Sequence, residues 1–527
     1  MITNITANTL EQWLDDGGEL ALFDVREHGQ FGEGHLFFAA SLPYSRLEPE
    51  VAKLAPNPSV RVVVYDAGEG VAQRAARRLR DLGYGAVHVL AGGAQSWAAA
   101  GYQLFQGVNL PSKTFGEWVE TRRATPHLGA DELARRQAAG EALIVLDGRP
   151  FDEYRQMSIP GSICCPNGEL GVRVDALAAD RATTIVINCA GRTRSIIGAQ
   201  TLIDLGIANP VLALENGTQG WMLADLPLEH GQQRRYPDGL HAGHARVQAA
   251  ERLAARAGAE WIGARDIRQW REKNHSVFLL DVRTAEEFAG GSLPGARHAP
   301  GGQLQQATDQ YLAVRNAKVV LFDNDGVRAP VTASWLRQLG HQAFVLEGGL
   351  ARGLADGVSL PRPEPAAVPS WPTVSARDLA GELDQGRPID IVDLRASQHY
   401  RNGHIPGSRW SIRPLLDRLP AAGPAKIVLL AEDAALAAWA AADIPAPLRP
   451  RIYLLAGGFA AWRDSGLPVA VTPDAPADAE RIDYLFFTHD RHAGNKDAAR
   501  QYLAWEQGLW GRLHARERAV FKPLPGA

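Results

Sequence analysis

The chain has 527 residues, of which 46% are hydrophobic and 22% charged, and this length exceeds a single core and suits three to five globular domains. Its 55 basic and 59 acidic side chains give a net charge of −4, so charge gives no reason to expect nucleic acid or a membrane as a partner. The three cysteines exclude a disulfide framework and indicate a reducing compartment.

The N-terminal segment carries no targeting signal. Residues Met1–Asn8 lead directly into an amphipathic stretch, without the basic and apolar regions of a signal peptide. No apolar run approaches 18 uncharged residues, so the sequence predicts no membrane span. We therefore expect a cytoplasmic protein.

Four segments, called copies one to four in chain order, share one pattern. Each begins with an apolar strand that ends in Asp-x-Arg, continues through a turn that contains Gly, and closes with a second strand, a glycine turn and a helix. The Asp-x-Arg pairs are Asp24–Arg26, Asp147–Arg149, Asp281–Arg283 and Asp393–Arg395. Because the pair recurs in every copy, Asp147 and Arg149 are predicted to support the structure as an ion pair or a strand-end cap.

The spacing within the copies is nearly constant. Counting 42 residues from the first three aspartates reaches Asp66, Cys189 and Asp323, and counting 38 from the fourth reaches Ala431. From these positions, 27, 28, 26 and 27 residues lead to the second turn glycine. Such a register indicates four copies of one structural unit. Only copy two carries a thiol at the matched position.

The segment around that thiol predicts a strand, a loop and a helix in this order. A β-branched run of residues 185–187 leads into the loop that starts at Cys189, and a helix-compatible run follows from Ile196. Open α/β sheets carry their chemistry at such strand ends, and the N–H groups of a helix start favour an anion such as a thiolate. Arg192 and Arg194 add two cations to the loop.

Short Val/Ile/Leu strands alternate with helical stretches of about ten residues within each copy, which predicts a parallel sheet covered by helices on both faces. The predicted units are residues 5–108, 125–232, 258–360 and 372–471, followed by a helical C-terminal extension at 480–527. Residues 106–125 separate copies one and two as a linker. A proline-rich spacer at 361–365 precedes copy four. The extension belongs to no copy.

Taken together, these motifs resemble the rhodanese (sulfurtransferase) domain family over roughly residues 5–470. The order Asp-x-Arg, His-Ile-Pro-Gly, cysteine loop and Gly-Gly-x-x-x-Trp carries the resemblance. Three features depart from it: the thiol is missing in copies one, three and four, Asn216 replaces a turn glycine, and Gly353 stands where copy three should have Trp. The resemblance implies that copies one, three and four are inactive.

The resemblance also implies a function for copy two. Cys189 would be the catalytic nucleophile that carries sulfur as a persulfide. The substrate-binding loop would comprise Ala190, Gly191, Arg192, Thr193, Arg194 and Ser195. The expected reaction moves sulfane sulfur from a small anionic donor such as thiosulfate to cyanide or a thiol, in two displacement steps with no metal and no organic cofactor.

Three alternatives remain open from the sequence. The donor could be 3-mercaptopyruvate or another organic persulfide source, because arginine also suits a carboxylate. Cysteine-dependent phosphatases and arsenate reductases have a related loop, but they place Arg one residue further from Cys and usually a His before it, where this chain has Asn188. A non-enzymatic sulfur carrier or scaffold could dock partners through the three inactive copies.

Other polar motifs have simpler interpretations. Cys164 and Cys165 follow a Pro-Gly turn and are expected to pack in the core, although a strand beside the active strand would let one of them form a disulfide with Cys189. The stretch 323–326 superficially resembles a calcium loop, but later oxygen ligands are absent, so no metal site is expected. The polar cluster of residues 489–492 is predicted to be exposed surface.

Overall fold

The computed structural model describes residues 2–239, 242–419, 426–489 and 495–525. Within these ranges, four mainly parallel sheets are flanked by helices, which confirms the predicted α/β class with four units. The central strands are buried on both faces, as in the run Val62–Val64, because helices cover each side of the sheet. No helix of the described residues is long and apolar enough to span a membrane.

Copy one and the segment after it form the first group of elements. They are β1 (Thr3–Ile5), α1 (Ala7–Asp15), β2 (Leu20–Asp24), α2 (His28–Glu33), β3 (Ala40–Ser41), a 3-10 turn (Tyr44–Arg46), α3 (Leu47–Leu54), β4 (Arg61–Tyr65), α4 (Val71–Asp81), β5 (Ala86–Leu90), α5 (Gly93–Ala99) and α6 (Leu110–Arg123).

Copy two and its following helix form the second group. They are β6 (His127–Leu128), α7 (Ala130–Ala138), β7 (Leu143–Asp147), α8 (Phe151–Gln156), β8 (Ile163–Cys164), a 3-10 turn (Asn167–Glu169), α9 (Leu170–Leu177), β9 (Thr184–Asn188), α10 (Thr193–Asp204), β10 (Val211–Leu214), α11 (Gly217–Leu223) and α12 (His244–Arg256).

Copy three adds one short strand to the shared pattern. Its elements are β11 (Glu260–Ile262), α13 (Ala264–Glu272), β12 (Val277–Asp281), α14 (Ala285–Ala289), β13 (Arg297–His298), α15 (Gly301–Gln306), a 3-10 turn (Thr308–Gln310), β14 (Val314–Arg315), β15 (Lys318–Phe322), α16 (Arg328–Gln338), β16 (Gln342–Leu346) and α17 (Gly349–Ala355).

Copy four and the C-terminal extension complete the chain. Copy four contains β17 (Thr373–Val374), α18 (Ala376–Asp384), β18 (Ile389–Asp393), α19 (Ser397–Asn402), β19 (Arg409–Trp410), a 3-10 turn (Arg413–Arg418), β20 (Lys426–Leu430), α20 (Ala434–Ala442), a 3-10 turn (Ala446–Arg451), β21 (Ile452–Leu455) and α21 (Gly458–Asp464). The extension contains a 3-10 turn (Asp478–Glu480), α22 (Phe486–His489), α23 (Lys496–Arg512) and α24 (Ala515–Ala519).

All four sheets have the same strand order. In copy two it is β6-β10-β9-β7-β8, with every described pair parallel. The expectation that the strand after the Pro-Gly turn runs beside the active strand is therefore wrong, because β7 lies between β8 and β9. The sheet of copy one is not purely parallel either, since β14 from copy three pairs antiparallel with β2.

Several copies pack together in one shared hydrophobic core. One buried cluster joins side chains of copies one and three, α10 of copy two, α6, α12 and the C-terminal extension. At its centre the indole of Trp335 on α16 donates to Thr201 Oγ1 on α10 at 2.9 Å, and the ring of Phe115 on α6 packs edge-on against it. Copy two therefore depends on copy three and α6 for part of its burial.

Helix α6 lies in the stretch predicted to be a linker. Asn109, Leu110 and Pro111 give a recognisable helix start, with Pro in the first turn. The buried face of α6 nevertheless includes Ser112, Lys113, Thr114 and Glu117, which hides the apolar periodicity that normally reveals a helix. This helix matters because it reaches the cysteine loop.

A buried ion pair joins copies one and four. Arg413 Nη1 lies 2.6 Å from Glu48 Oε2, and the same guanidinium also contacts Asp443. Burial raises the pKa of Glu48, but the hydrogen bonds and charge of Arg413 outweigh burial and hold this pKa below its usual range. The pair connects two copies that have no cysteine at the matched position.

We expect Arg413→Met to destabilise the protein by about 3–5 kcal/mol, because it leaves the Glu48 carboxylate buried without its main cation. The double variant Glu48→Gln with Arg413→Met should recover part of that loss, since the fully buried carboxylate is then gone and the groups that lose a partner, Arg78 and Asp443, are partly exposed. Calorimetric melting of the three proteins measures the difference. A double variant no more stable than Arg413→Met would contradict the interpretation.

Candidate active site

Cys189 stands at the point where β9 ends and the loop to α10 begins. Its side chain is 2% exposed and lines a cavity of about 420 Å³. The loop of residues 189–195 therefore has the strand–loop–helix arrangement predicted from the sequence, with the first turn of α10 beginning at Thr193. A sulfur anion at this place would face the start of a helix.

The base of the loop is held by the Asp-x-Arg pair. Arg149 donates from Nε to Asp147 Oδ1 at 2.9 Å and from Nη2 to Asp147 Oδ2 at 2.8 Å, and Nη2 also donates to the Met157 carbonyl. Asn188 Nδ2, one residue before the cysteine, donates to Asp147 Oδ2 at 2.7 Å. These buried side chains fix the end of β9 and so the origin of the loop.

The glycine turn before α11 holds the loop from its other side. The Thr218 N–H donates to the Cys189 carbonyl at 2.8 Å, and the Gln219 N–H donates to the Ala190 carbonyl at 3.1 Å. A Cβ on Gly217 would lie 2.2 Å from the Cys189 oxygen, so this position requires glycine. Asn216 adopts the left-handed conformation with φ 59°, which asparagine tolerates, and accepts from Arg192 through Oδ1.

Ser195 contacts the cysteine sulfur directly. The Cys189 thiol donates to Ser195 Oγ at 3.6 Å, while the serine hydroxyl lies 2.8 Å from the Arg192 carbonyl and 3.2 Å from the Leu214 carbonyl. When the sulfur is ionised, the hydroxyl proton can instead point to it. Ser195 is thus the one predicted loop side chain with a described hydrogen bond to the sulfur.

The two loop arginines are paired with carboxylates. The Arg192 guanidinium is buried and donates to Glu117 at 2.7 and 3.0 Å and to Glu120, all from α6. Arg194 donates to both oxygens of Glu153 on α8 at 2.9 and 2.8 Å. Burial lowers the pKa of Arg194, but the charge and hydrogen bonds of Glu153 outweigh burial and the pKa stays above its usual value. The negative charge of Cys189 in its thiolate form also raises the pKa of Arg194.

Cys164 and Cys165 are buried away from this chemistry. Burial raises the pKa of Cys164 to about 12 and raises that of Cys165 well above its usual value, so both stay neutral thiols. Cys164 pairs in register with Asp147, which pairs with Asn188, so Cys164 stands two strands from the active strand. Two strand spacings are roughly 9–10 Å, beyond the about 7 Å between Cα atoms that a disulfide allows. This geometry supports the packing interpretation.

The matched loops of copies one and three hold carboxylates. Asp66 accepts the Gly68 and Ala72 N–H groups at 2.9 and 3.0 Å. Asp323 accepts the Gly326 and Ala329 N–H groups at 3.0 and 2.8 Å, which accounts for the resemblance of its loop to a calcium site. Burial raises the pKa of Asp323 above its usual range. In copy four the position is the buried methyl of Ala431.

Four parts of the chain wall the cavity around Cys189. Copy two contributes the loop and α8, copy three contributes Gln303 and Gln306 from α15, α6 contributes Lys113, and the C-terminal extension contributes Tyr502 and Glu506. His489 also lines the cavity and is exposed as predicted, whereas residues 490–492 of its cluster lie outside the described residues.

The sequence did not predict that residues outside copy two line the cavity around Cys189. Lys113 and Glu117 lie in the predicted linker, and Glu506 lies in the extension. The apolar side chains of the extension, with Tyr502 and Leu503 buried and Trp505 partly buried, indicate a packed helix but not its polar contacts. The helix start at Asn109 was an available signal for α6, but nothing local connects Glu506 to a loop more than 300 residues away.

Comparisons with known proteins agree with this geometry. The model of the rhodanese-like domain matches residues 6–100, 129–224, 264–355 and 375–465. The crystal structure of a thiosulfate sulfurtransferase from Pseudomonas aeruginosa is 42% identical and superposes with a TM-score of 0.89 over 98% of this chain and 99% of that one. The predicted resemblance is confirmed, and the prediction of a sulfurtransferase-type enzyme agrees with this match.

Two curated relatives match shorter parts. A thiosulfate sulfurtransferase from Azotobacter vinelandii is 30% identical over 25% of this chain and 61% of its own length. An HTH-type transcriptional regulator from Mycobacterium tuberculosis is 38% identical over 19% of this chain and 43% of its own length. The chain thus spans less than two thirds of either relative.

We expect Gly217→Ala to slow modification of Cys189, because its new Cβ would meet the Cys189 carbonyl and displace the loop. A displacement of about 1 Å at a reacting group costs on the order of 100-fold in rate. Gly458→Ala in copy four is the matched control, since its φ of 58° is similar but its Cβ would lie an ordinary 3.4 Å from the Ala431 oxygen.

Alkylation of Cys189, followed by peptide mapping, compares the two variants. Both substitutions place alanine in the left-handed region at a cost of roughly 1–2 kcal/mol, so the control accounts for the overall loss of stability from backbone strain. Equal alkylation rates would contradict the role given to Gly217.

Proposed function

The chain belongs to the rhodanese-like domain family, and from this premise we propose that it is a sulfurtransferase whose copy two carries sulfur on Cys189. The observation that carries the proposal is a cysteine at the helix-facing strand end of one copy only, inside a cavity, with a hydroxyl 3.6 Å from its sulfur. This arrangement supports a two-step transfer from an anionic donor such as thiosulfate to cyanide or a thiol.

In the first step the Cys189 thiolate attacks the outer sulfur of thiosulfate. A bond forms between Cys189 Sγ and that sulfur, the sulfur–sulfur bond of thiosulfate breaks, and sulfite leaves with the electron pair. The charge of −3 on the reactants equals that on the persulfide anion and sulfite. The N–H groups of the loop and the first turn of α10 are suited to hold the persulfide anion.

In the second step an acceptor removes the outer sulfur. Cyanide attacks it and leaves as thiocyanate, and the bonding pair between the two sulfurs returns to Cys189 as the thiolate. A thiol acceptor reacts in the same way after losing its proton. Neither step needs a metal or an organic cofactor, because the transferred atom is held by the protein.

The donor remains a choice between two classes. The arginines suit both a sulfonate and a carboxylate, but each is already engaged by a carboxylate of the protein. The cavity of about 420 Å³ falls in the range that holds drug-sized ligands. An organic donor such as 3-mercaptopyruvate, or an organic thiol acceptor, is therefore the second candidate.

Copies one, three and four are proposed to be structural. In copies one and three the loop N–H groups that could hold a sulfur anion already bind Asp66 or Asp323. Copy three also contributes to the core beneath α10 and to the cavity wall. The scaffold alternative, in which these copies dock partners, would gain support if no sulfur donor were turned over.

Cys189 should be the sole obligatory nucleophile. Incubation with thiosulfate should add one sulfur atom per chain by intact-mass measurement, and Cys189→Ser should abolish both that gain and turnover with cyanide. The double variant of Cys164 and Cys165 to Ala serves as control and should still load sulfur, because both thiols are buried and neutral. Full sulfur loading on the Ser variant would contradict the assignment.

Arg194→Ala should slow transfer from thiosulfate more than reaction of the persulfide with a neutral acceptor. Loss of a charge-assisted contact from a transition state costs about 2–4 kcal/mol, or roughly 30- to 1,000-fold in rate. Arg192→Ala should have a smaller, donor-dependent effect on rate. Its guanidinium is bound by two carboxylates of α6, whereas Arg194 is bound by one and lies close enough to Cys189 for their charges to interact. Single-turnover rates of the two half-reactions separate these effects, and near-wild-type rates for both variants would show that the loop N–H groups suffice.

A further inference from the structure

The C-terminal extension reaches the cysteine loop through α23. This helix packs against α6, which in turn packs against α10, and its residues Tyr502 and Glu506 line the cavity that contains Cys189. The extension belongs to none of the four copies, so its place at the cavity is not explained by the family pattern. A specific carboxylate makes the contact.

Glu506 binds both α10 and α6. Its Oε1 accepts from Thr193 Oγ1 at 2.9 Å and from Lys113 Nζ at 3.1 Å, and its side chain is 1% exposed. Its Oε2 lies 3.3 Å from the position that a Cβ on Gly191 would occupy. One buried carboxylate therefore binds the first residue of α10 and fills the space beside Gly191 in the loop.

We propose that Glu506 is a positioning residue for sulfur transfer, which anchors Thr193 at the start of α10 and, with Lys113, keeps the charge beside the loop balanced. The inference rests on the proposed role of Cys189 as the sulfur carrier. Anchoring Thr193 fixes the first turn of α10, and with it the N–H groups and the Ser195 hydroxyl that face the sulfur. The extension is then part of the catalytic unit of copy two.

The charge argument depends on the charged and titratable groups around Glu506 in the described part of the chain. On α6, Lys113 and Glu117 face Glu506, and from the loop Arg192, which also binds Glu120, does so. Tyr502 on α23 accepts from Lys113 Nζ, and His489 lines the same cavity. Around the cysteine the charged groups are Arg194 with Glu153 and Arg149 with Asp147. All of these except the pair of Glu506 and Lys113 are retained in the variants below.

Replacing either Glu506 or Lys113 should shift the pH at which Cys189 ionises, in a direction set by the charge of the remaining residue. Glu506→Gln removes a negative charge and leaves Lys113, so Cys189 should ionise at lower pH. Lys113→Met leaves the negative charge of Glu506, so Cys189 should ionise at higher pH. A role of Glu506 in packing alone would not give shifts of opposite sign.

The test is the pH dependence of iodoacetamide alkylation at Cys189, followed by peptide mapping in the full-length protein. We expect the pH midpoint to fall by about 0.5–1 unit in Glu506→Gln, to rise by a similar amount in Lys113→Met, and to return near the wild-type value in the double variant. Asp497→Asn is the matched control, because it makes the same charge change on α23 roughly 13 Å along the helix from Glu506.

A second measurement tests the anchoring role. Thr193→Val removes the hydrogen bond to Glu506 without changing charge, so the rate constant for sulfur loading should fall about 5- to 20-fold while the alkylation midpoint stays unchanged. Melting curves identify any variant that does not fold, and the double variant of Glu506 and Lys113, which removes both members of this ion pair, then takes its place in the comparison.

Equal midpoints in Glu506→Gln and Lys113→Met, or shifts of the same sign, would overturn the charge role. An unchanged loading rate in Thr193→Val would overturn the anchoring role. Absence of turnover in the wild-type protein would refute the proposed function instead, and the alkylation midpoints would still test the contact between α23 and the loop.

Discussion

The buried Asp–Arg pair at the end of one central strand is the interaction on which each copy depends. The aspartates are fully buried, and each arginine bonds its aspartate and also the carbonyl eight residues further on, at 2.6 to 2.8 Å. The pair thereby ties the strand to the end of the following helical segment. Removing either partner would leave an uncompensated charge inside the unit, which explains why both recur together.

In copy two the Asp–Arg pair is hydrogen-bonded to the residue that precedes Cys189. Asn188 donates to Asp147, and the Gly148 N–H donates to the Asn188 carbonyl at 2.8 Å, so the residue before the cysteine is held by the neighbouring strand. Gly217 approaches the loop from the opposite side. The backbone at Asn188 and Cys189 is thus fixed by hydrogen bonds from two sides. A loop held in this way can present its N–H groups to an anion without reorganising.

The four loops lie at the same place between a strand and a helix, but they carry three different residue types at the matched position. In copies one and three an aspartate stands at the position that matches Cys189, and its carboxylate accepts hydrogen bonds from the N–H groups of its own loop. In copy four an alanine leaves neither an anion nor a nucleophile. Among the four matched residues only Cys189 is a thiol. Its loop lines a cavity whose other walls come from copy three, α6 and the C-terminal extension.

The sequence by itself determined the repeat, the α/β class, the Asp–Arg pairs and the place of Cys189 between a strand and a helix, because each depends on residues close together in the chain. Tertiary structure alone decided that β8 lies beside β7, that Arg192 faces α6, and that Glu506 reaches the loop. These outcomes depend on how separate units pack. The contacts of α6 and α23 with the cysteine loop are polar, and Glu506 binds a residue hundreds of positions away, so no hydrophobic periodicity along the chain predicts them.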